Sequence, residues 1–424
     1  MEITAHLALA LGRAAVLHTG AQGPRVLVIR DTRESGEMLE AALAAGVASA
    51  GGDVLLGGVL PTPAAPLLAR RYGFDLAVVL SASHNPYTDN GIKIFGGDGF
   101  KLSDEIELEI EQHLEQDAGG GSAQIGRIRR MHGTADDYLR ELHVRFQELS
   151  LEGLNVLLDC ANGATFRVAP EIFRRLGARV TTVAAEPDGR NINDGCGSTH
   201  VHEFAEQVVA GGHDLGFAFD GDGDRVLAVD RSGQVVDGDE LLALAALHLR
   251  DAGRLGGGVV VTVMTNYGFH SAMREAGIEV ATTTVGDRYV LEELREREWA
   301  LGGEQSGHII ELGFGPTGDG TAAALLVLEA LAGRDLAERG AMQKLPQRLV
   351  NVRVRDRGAL DGSKALRELV ERESEALAGR GRVLVRTSGT EPLVRVMVEA
   401  PTQSETDEVT DRLAALVEAE LGAG

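Results

Sequence analysis

A repeated alternation of short apolar strands with amphipathic helices is the feature that most constrains the fold of this chain. The first repeat covers residues 25–80 and contains three predicted strands separated by two helices, with the strands at 25–30, 53–60 and 76–80. Short strands that are apolar throughout are typical of parallel sheets that helices cover on both faces. The same order of elements recurs over residues 154–219 and 258–311. The sequence therefore predicts three tandem α/β domains with mixed, mainly parallel sheets.

The segment after Leu349 follows a different pattern. It contains one strand, one helix, two strands around the motif RTSGTEP and a last helix, which predicts a smaller α+β domain. We therefore expect four domains arranged around a central cleft. Polar stretches between the repeats place the predicted domain bounds at residues 1–137, 138–236, 237–346 and 347–424.

Each α/β repeat places its most polar, glycine-rich loop directly after a predicted strand. These loops read SASHNP from Ser81, DGDGDR from Asp220 and GGEQSGH from Gly302. Open parallel sheets bind their ligands outside the carboxyl ends of the strands. We therefore predict that the three loops and RTSGTEP line one cleft.

The charge of the chain limits the partners that it can bind. Its 424 residues include 64 acidic and 41 basic side chains, which gives a net charge of -23. Such a charge repels phosphate backbones and acidic membranes, so we expect neither nucleic acid nor a membrane as a partner. A local cluster of arginines can still bind a small anionic substrate. A homodimer is compatible with the sequence, which does not fix the oligomeric state.

The N-terminus and the cysteines indicate the cellular compartment. The first residues carry Glu2, no basic segment and apolar side chains at helical spacing, so a signal peptide is a poor interpretation. No apolar run approaches the roughly 18 residues that span a bilayer. Cys160 and Cys196 provide no disulfide framework, and we interpret both as thiols. We expect a cytoplasmic protein.

Three carboxylates alternate with glycines in DGDGDR. Asp220, Asp222 and Asp224 can surround one hard divalent cation, for which Mg²⁺ is the natural candidate. For the triplet alone, a solvated acidic turn has equal weight. A calcium EF-hand does not fit, because its sixth and twelfth positions would be Arg225 and Arg231 instead of glycine and glutamate. Arg225 instead suits a phosphate group held against the metal.

The motif VRTSGTEPLVR combines guanidinium groups, hydroxyl groups and the backbone N–H groups of a turn. Such a combination makes a nest that binds anions. The candidate phosphate-binding residues are Arg386, Thr387, Ser388, Gly389, Thr390 and Arg395. The alternative is a hairpin turn with solvated arginines.

The motif GGEQSGH offers hydrogen-bonding side chains at a turn flanked by glycines, namely Glu304, Gln305, Ser306 and His308. This set suits the hydroxyl or amino groups of a sugar, and the alternative is an ordinary polar loop.

Another motif, GFGPTG at residues 313–318, matches the dinucleotide fingerprint only weakly. No strand follows its helix until about residue 349, so none presents the acid that binds ribose. The chain has no Gly-Lys pair, which excludes a P-loop.

Taken together, seven motifs resemble those of the α-D-phosphohexomutase superfamily over nearly the whole chain. They read SASHNPYTDNGIKIF, DCANGA, PDGRNINDGCGSTH, DGDGDRV, VGDRYV, GGEQSGHII and RTSGTEPLVRVMVE. The resemblance implies an isomerase that moves a phosphoryl group within a hexose phosphate. It also implies one Mg²⁺ per subunit, a phosphorylated serine and a hexosamine 1,6-bisphosphate that serves as intermediate and activator.

The resemblance assigns a role to each candidate residue. Ser83 would carry the phosphoryl group, and its phosphate would complete the Mg²⁺ site of the three aspartates in DGDGDR. His84, Lys93 and Arg225 would surround the transferring group, and Glu304, Ser306 and His308 would hold the sugar. The RTSGTEP residues would clamp the phosphate that does not react, and the last domain would move as a hinge.

Within the superfamily, Gln305 and the segment NDGCGSTH favour the branch that acts on glucosamine phosphates. That branch interconverts glucosamine 6-phosphate and glucosamine 1-phosphate, which supplies UDP-N-acetylglucosamine and cell-wall synthesis. The alternatives are the mannose and glucose branches, a Mg²⁺-dependent sugar phosphatase that transfers the phosphoryl group to water, and an inactive paralogue that only binds sugar phosphates.

The N-terminus departs from the pattern of the superfamily. Relatives begin with a strand and a loop resembling FGTDGIRG, which brings an arginine to the active site, whereas this chain begins at Met1 in the first predicted helix. Because every other loop of the site is intact, we expect a start codon placed too far downstream rather than a weakened, truncated protein. The in-frame codons upstream of Met1 would decide between these two explanations.

Overall fold

The structure is a computed structural model that describes residues 3–116, 124–355, 362–387 and 392–422. The chain divides into two compact units. The first unit contains Met1–Val263 and Ala281–Arg339, and the second contains Met264–Val280 and Gly340–Gly424. Across the described residues, every helix is too short or too polar to span a bilayer.

The first α/β region contains, in chain order, α1 (Ala5–Thr19), β1 (Arg25–Arg30), α2 (Gly36–Ser49), β2 (Asp53–Val59), α3 (Ala64–Tyr72), β3 (Leu76–Leu80), β4 (Ile92–Gly96), α4 (Asp104–Gln116) and β5 (Ile128–Arg130). The strands form one sheet in the order β4-β3-β1-β2-β5. All neighbouring strands run parallel except β3 and β4. Every residue of β3 is buried, as expected for a strand that is covered on both faces.

The second region contains α5 (Thr134–Arg145), β6 (Asn155–Asp159), α6 (Val168–Arg175), β7 (Arg179–Val183), a 3₁₀ turn (Ser198–His200), α7 (Val201–Ala210), β8 (Leu215–Phe219), β9 (Val226–Asp230) and β10 (Val235–Val236). Its sheet has the order β10-β9-β8-β6-β7. The strands β7, β6 and β8 run parallel, and β9 returns antiparallel to β8.

The third region contains α8 (Gly238–Asp251), β11 (Gly258–Thr262), α9 (Tyr267–Glu275), β12 (Glu279–Thr283), α10 (Asp287–Arg297), β13 (Leu301–Gly303), β14 (Ile309–Glu311), α11 (Gly320–Leu331) and a 3₁₀ turn (Leu336–Glu338). Its sheet has the order β12-β11-β13-β14, in which β11 and β13 are parallel and β14 is antiparallel to β13. These three sheets confirm the predicted α/β class with mixed, mainly parallel strands.

The C-terminal region contains β15 (Gln347–Arg353), α12 (Lys364–Ala376), β16 (Arg382–Thr387), β17 (Leu393–Glu399) and α13 (Gln403–Leu421). Its three strands form an antiparallel sheet in the order β15-β17-β16. This arrangement confirms the smaller α+β domain that the sequence predicted.

The four polar loops share a structural setting that the sequence analysis considered only for RTSGTEP, as an alternative. Each loop lies between two strands that are adjacent and antiparallel in their sheet, so the strands on either side of each loop form a hairpin. SASHNP joins β3 to β4, DGDGDR joins β8 to β9, GGEQSGH joins β13 to β14, and RTSGTEP joins β16 to β17. The returning strand of each hairpin can therefore bring a second set of side chains back to the loop.

A buried ion pair ties helix α9 to the antiparallel sheet within the second unit. Arg382 Nε donates to Glu399 Oε2 at 2.8 Å, and Arg382 Nη2 donates to Glu399 Oε1 at 3.2 Å and to the carbonyl of Thr265 at 2.6 Å. The N–H of Tyr267, in the first turn of α9, donates to Glu399 Oε2 at 2.8 Å. Burial raises the pKa of Glu399, and the charge of Arg382 opposes this shift. The fully buried carboxylate thus connects three segments of the unit.

We expect Glu399→Gln to destabilise the second unit, because it leaves the guanidinium of Arg382 without its buried anion. Removing one partner of a buried pair costs about 3–5 kcal/mol. Hydrogen exchange of the β16 and β17 amides would measure the loss as a lower free energy of local opening. The matched control is Glu405→Gln, which removes a partly exposed partner of Arg380 in the same unit. Equal effects of the two substitutions would contradict the anchoring role of Glu399.

Candidate active site

Ser83 lies three residues beyond β3, in a backbone conformation that is uncommon for a residue with a side chain. Its φ is +52°. The N–H of Ser83 donates to Ser81 Oγ at 3.0 Å, and Ser81 Oγ in turn donates to Asp31 Oδ2 at 2.6 Å. Left-handed backbone of this kind persists where the surrounding structure holds it in place. The turn directs Ser83 Oγ to Asp220 Oδ2, to which it donates at 2.6 Å.

A buried ion pair that the sequence analysis missed lies behind this turn. Arg33 Nε donates to Asp31 Oδ2 at 2.8 Å, and the two side chains are 2% and 1% exposed. Burial raises the pKa of Asp31, whereas the charge of Arg33 lowers it. Both residues directly follow β1, which neighbours β3 in the sheet. The sequence signal that could have indicated this ion pair is an Asp-x-Arg motif at the carboxyl end of a predicted parallel strand.

Asp220, Asp222 and Asp224 converge in the turn between β8 and β9. Each carboxylate offers an oxygen, and these oxygens lie within 4.8 Å of one another. All three side chains are buried, with exposures of 0%, 1% and 5%. Gly223 has a φ of +71°, which a residue with a side chain adopts only with strain. The glycine therefore lets the loop curl so that the three carboxylates meet.

This carboxylate cluster fits a hard divalent cation. Among the described residues, no donor forms a hydrogen bond to the buried atoms Asp222 Oδ1 and Asp224 Oδ1, although Arg225 Nε lies 3.7 Å from Asp224 Oδ1. Buried carboxylate oxygens without a hydrogen bond can bind a metal. Burial, together with repulsion from the other two carboxylates, raises the pKa of Asp220. A bound cation would both supply a partner for these oxygens and reduce the repulsion between the carboxylates. Carboxylate oxygens are the ligands that Mg²⁺ prefers.

Lys93 returns on β4 to the same carboxylates. Its Nζ donates to Asp222 Oδ2 at 2.6 Å and to Asp224 Oδ2 at 3.2 Å. Burial alone would lower the pKa of Lys93, but the two carboxylates outweigh it and raise the pKa above its ordinary value. The hydroxyl of Thr62 also donates to Asp222 Oδ2. The site therefore holds a fixed ammonium charge that can stabilise negative charge on a reacting group.

His84 and Arg225 form a second polar pair beside Ser83. Arg225 Nη1 donates to His84 Nδ1 at 3.2 Å, and this nitrogen lies 3.4 Å from Ser83 Oγ. Because a guanidinium only donates, Nδ1 is the acceptor and a neutral imidazole carries its proton on Nε2. Burial and the charge of Arg225 lower the pKa of His84, which favours this neutral form.

The GGEQSGH hairpin divides its candidate residues between an accessible and a buried position. Ser306 is exposed and Glu304 is half-buried. His308 is 2% exposed, and its Nδ1 lies 3.7 Å from Asp224 Oδ2. Its Nε2 accepts from the N–H of Gly318 at 3.1 Å. The structure thus brings His308 to the carboxylate cluster, while Ser306 stays exposed and Glu304 Oε1 accepts a hydrogen bond from the N–H of Gly286 at 3.1 Å.

In the second unit, Arg386 and Arg395 lie directly opposite each other on β16 and β17. Like charges at directly opposed positions destabilise an antiparallel pair. In the part of the chain that the structure describes, Arg395 Nε is buried without a hydrogen-bond partner, and Arg386 Nη2 lies 3.7 Å from Met264 Sδ. Thr387 is the last residue of β16. The other three candidate residues of this loop lie outside the described residues, namely Ser388, Gly389 and Thr390.

Four family models match the chain in order. The models described as Phosphoglucomutase/phosphomannomutase alpha/beta/alpha domains I, II and III match residues 1–119, 130–233 and 237–349, and the model of the C-terminal domain matches residues 349–416. The chain belongs to the α-D-phosphohexomutase superfamily. This membership confirms the resemblance that the seven motifs indicated.

Two phosphohexomutases of similar sequence are about half identical to this one. The phosphoglucosamine mutase of Desulforudis audaxviator is 51% identical over 427 residues, which cover 98% of this chain and 94% of that protein. The phosphoglucosamine mutase of Pelotomaculum thermopropionicum is 49% identical over 426 residues, which cover 98% of this chain and 96% of that protein.

Solved phosphohexomutase structures share the fold at lower identity. The phosphoglucomutase/phosphomannomutase family protein from Burkholderia thailandensis matches with a TM-score of 0.82 and 24% identity, over 99% of this chain and 94% of that chain. The N-acetylphosphoglucosamine mutase of Aspergillus fumigatus, solved in complex with GlcNAc-6P and magnesium, matches with a TM-score of 0.68 and 21% identity, over 84% of this chain and 92% of that chain. At these identities, the two matches support the fold alone.

Proposed function

We propose that this phosphohexomutase interconverts glucosamine 6-phosphate and glucosamine 1-phosphate, with a phosphoserine at Ser83 as the phosphoryl carrier. The observation that carries the proposal is the position of Ser83 Oγ, which lies 2.6 Å from Asp220 Oδ2 at the edge of the carboxylate cluster. A glucosamine substrate is supported by the names of the two bacterial relatives, which are about half identical over nearly the full chain.

In the first half-reaction, the free hydroxyl of the sugar phosphate attacks the phosphorus on Ser83. A bond forms between phosphorus and the sugar oxygen as the bond between phosphorus and Ser83 Oγ breaks. The attacking hydroxyl loses its proton, Ser83 Oγ gains one, and the product is a hexosamine 1,6-bisphosphate. We assign Lys93 and Arg225 to stabilising charge on the transferred group and His84 to proton transfer.

In the second half-reaction, the bisphosphate turns over and Ser83 takes back the other phosphoryl group. No co-reactant is consumed, because each phosphoryl group that leaves the enzyme is replaced by another. We propose that the phosphate that does not react is held by Arg386, Thr387, Ser388, Gly389, Thr390 and Arg395. An anion between the two opposed arginines would relieve their repulsion, which supports this assignment. We assign the sugar to Glu304, Ser306 and His308.

We propose that one Mg²⁺ per subunit is held by Asp220, Asp222, Asp224 and the phosphate on Ser83. When bound, the ion neutralises charge on the phosphoryl group. The fit rests on Asp222 Oδ1 and Asp224 Oδ1, which accept no hydrogen bond from any described residue. His308 faces Asp224, so it can also orient that carboxylate.

We also propose the division into four domains with bounds at 1–137, 138–236, 237–346 and 347–424. Each of these domains would then contain one of the four loops. Movement of the last domain would let a single phosphate clamp serve both orientations of the bisphosphate.

Substrate preference tests the proposed function. We expect kcat/KM for glucosamine 6-phosphate to exceed that for glucose 6-phosphate and for mannose 6-phosphate by at least about tenfold, because a site that hydrogen-bonds the amino group discriminates against a hydroxyl. The measurement is formation of each 1-phosphate, with release of inorganic phosphate followed in parallel. A preference for either sugar without the amino group would overturn the substrate assignment. Release of inorganic phosphate in step with substrate loss would identify a phosphatase instead.

A further inference from the structure

Two side chains from distant parts of the first unit donate hydrogen bonds to the same two carbonyl groups of the Ser83 turn. Arg33 Nη2 donates to the carbonyl of Ser83 at 3.1 Å and to that of Asn85 at 2.8 Å. Asn193 Nδ2 donates to the carbonyl of Ser83 at 2.9 Å and to that of Asn85 at 3.1 Å. Each nitrogen carries two hydrogens, so each can serve both carbonyls at once. The orientation of the Asn193 amide is fixed, because only its nitrogen can donate to carbonyl oxygens.

The turn needs such support because its backbone is strained. Ser83 has a φ of +52°, and a residue with a side chain pays for a left-handed conformation unless its surroundings enforce it. Arg33 also donates to the carbonyls of Pro86 and Asp89, so its guanidinium fills the inner side of the turn. Asn193 approaches from the segment NDGCGSTH and is 7% exposed. Together they fix the peptide that carries the nucleophile.

The loop of the three aspartates has a glycine where it packs against the hydrogen bond between Asn193 and the carbonyl of Ser83. A Cβ atom on Gly221 would lie 2.6 Å from Asn193 Nδ2 and 2.6 Å from the carbonyl oxygen of Ser83. Real Cβ atoms do not approach other atoms so closely, so only glycine lets the carboxylate loop come against the Asn193–Ser83 hydrogen bond. The amide of Asn193 therefore lies where the nucleophile turn and the carboxylate loop meet.

We propose that Asn193 is a positioning residue for phosphoryl transfer, which sets the distance between Ser83 Oγ and the carboxylate cluster by holding the carbonyls of Ser83 and Asn85. The inference rests on the proposed function of Ser83. It gives the segment NDGCGSTH a role in the chemical step. Both Nδ2 hydrogens are used within the protein, so the side chain acts through the turn and does not need to touch the substrate.

The test compares Asn193→Ala and Asn193→Asp with the wild-type protein, using glucosamine 1-phosphate as substrate with Mg²⁺ and glucose 1,6-bisphosphate as the phosphoryl donor. A small displacement of reacting groups can cost about 100-fold in rate, so we expect kcat to fall about 10- to 100-fold while KM changes less than about threefold. We expect Asn193→Asp to be no faster than Asn193→Ala, because a carboxylate cannot donate to the carbonyls. The matched control is Asn155→Ala, which removes another side-chain donor to a backbone carbonyl, that of Gly212.

A second measurement separates positioning from a general loss of stability. The rate at which glucose 1,6-bisphosphate phosphorylates Ser83, followed by intact-protein mass spectrometry, should fall in parallel with kcat in both Asn193 variants. The phosphorylation rate of Asn155→Ala should stay within about twofold of the wild-type rate. The thermal midpoint of Asn155→Ala is the reference against which the thermal midpoints of the Asn193 variants are compared. If the Asn193 variants keep wild-type kcat, or lose activity only through a raised KM, the inference is overturned. If the wild-type protein itself lacks mutase turnover, the proposed function fails. In that case the rate of Ser83 phosphorylation still tests the inference. Asn193 variants that are phosphorylated as fast as the wild-type protein would overturn it.

Discussion

Ser83→Ala is expected to lower mutase turnover by about 1,000-fold or more, because it removes the atom that we propose carries the phosphoryl group between the two half-reactions. Intact-protein mass spectrometry should find one phosphate on the active wild-type protein and none on the variant. The variant should still bind glucosamine 1-phosphate in a calorimetric titration, since the loops assigned to the sugar and to the distal phosphate are unchanged.

The control for this substitution is Ser150→Ala, which removes an exposed hydroxyl remote from the motifs of the site. We expect it to keep wild-type turnover and the phosphate on Ser83. Wild-type activity in Ser83→Ala would show that another residue carries the phosphoryl group. Active wild-type protein without any phosphate would contradict the phosphoserine mechanism itself.

Loss of the divalent cation is expected to have the second largest effect. EDTA should abolish turnover, and added Mg²⁺ should restore it. Asp222→Asn should weaken Mg²⁺ binding by at least about 100-fold, because even residues that only orient metal ligands contribute 10- to 100-fold to affinity. Because Asp222 Oδ1 accepts no hydrogen bond within the described part of the chain, this carboxylate is a suitable position to test.

Metal binding can be measured without turnover, as the rise of the thermal midpoint with Mg²⁺ concentration in the absence of sugar phosphate. Asp251→Asn is the matched control, because the side chain of Asp251 is 68% exposed and remote from the cluster in sequence. An Asp222→Asn variant that shows the same Mg²⁺-dependent shift as wild type would exclude Asp222 as a ligand. Equal shifts in all three proteins would indicate only non-specific binding by an acidic surface.

The parts of the site that lie within single motifs could be predicted from the sequence. Three carboxylates at every second position, interrupted by glycines, can meet in one turn, and the structure brings Asp220, Asp222 and Asp224 together. The strands before these loops were also predictable, because runs such as residues 76–80 are apolar throughout. The strand β3 has the predicted bounds of Leu76–Leu80.

The supports of the site could not be predicted in this way, because they depend on contacts between distant residues. Arg33 reaches the carbonyl of Ser83 across 50 positions of the chain, and Asn193 reaches it across 110. Hydrophobic periodicity shows which residues are buried but does not show which side chains meet. The hairpin setting of SASHNP was missed for the same reason, since the short strand Ile92–Gly96 can be paired with β3 only once the register is known.

The ion pair of Arg382 and Glu399 has a consequence for building chimaeras between members of the superfamily. The chain passes from one compact unit to the other three times, because Met264–Val280 belongs with the C-terminal residues. An exchange of the last domain alone would place a foreign carboxylate, or none, at the first turn of α9. A chimaera that transplants α9 together with its sheet would keep the native partner of that helix and should tolerate the exchange better.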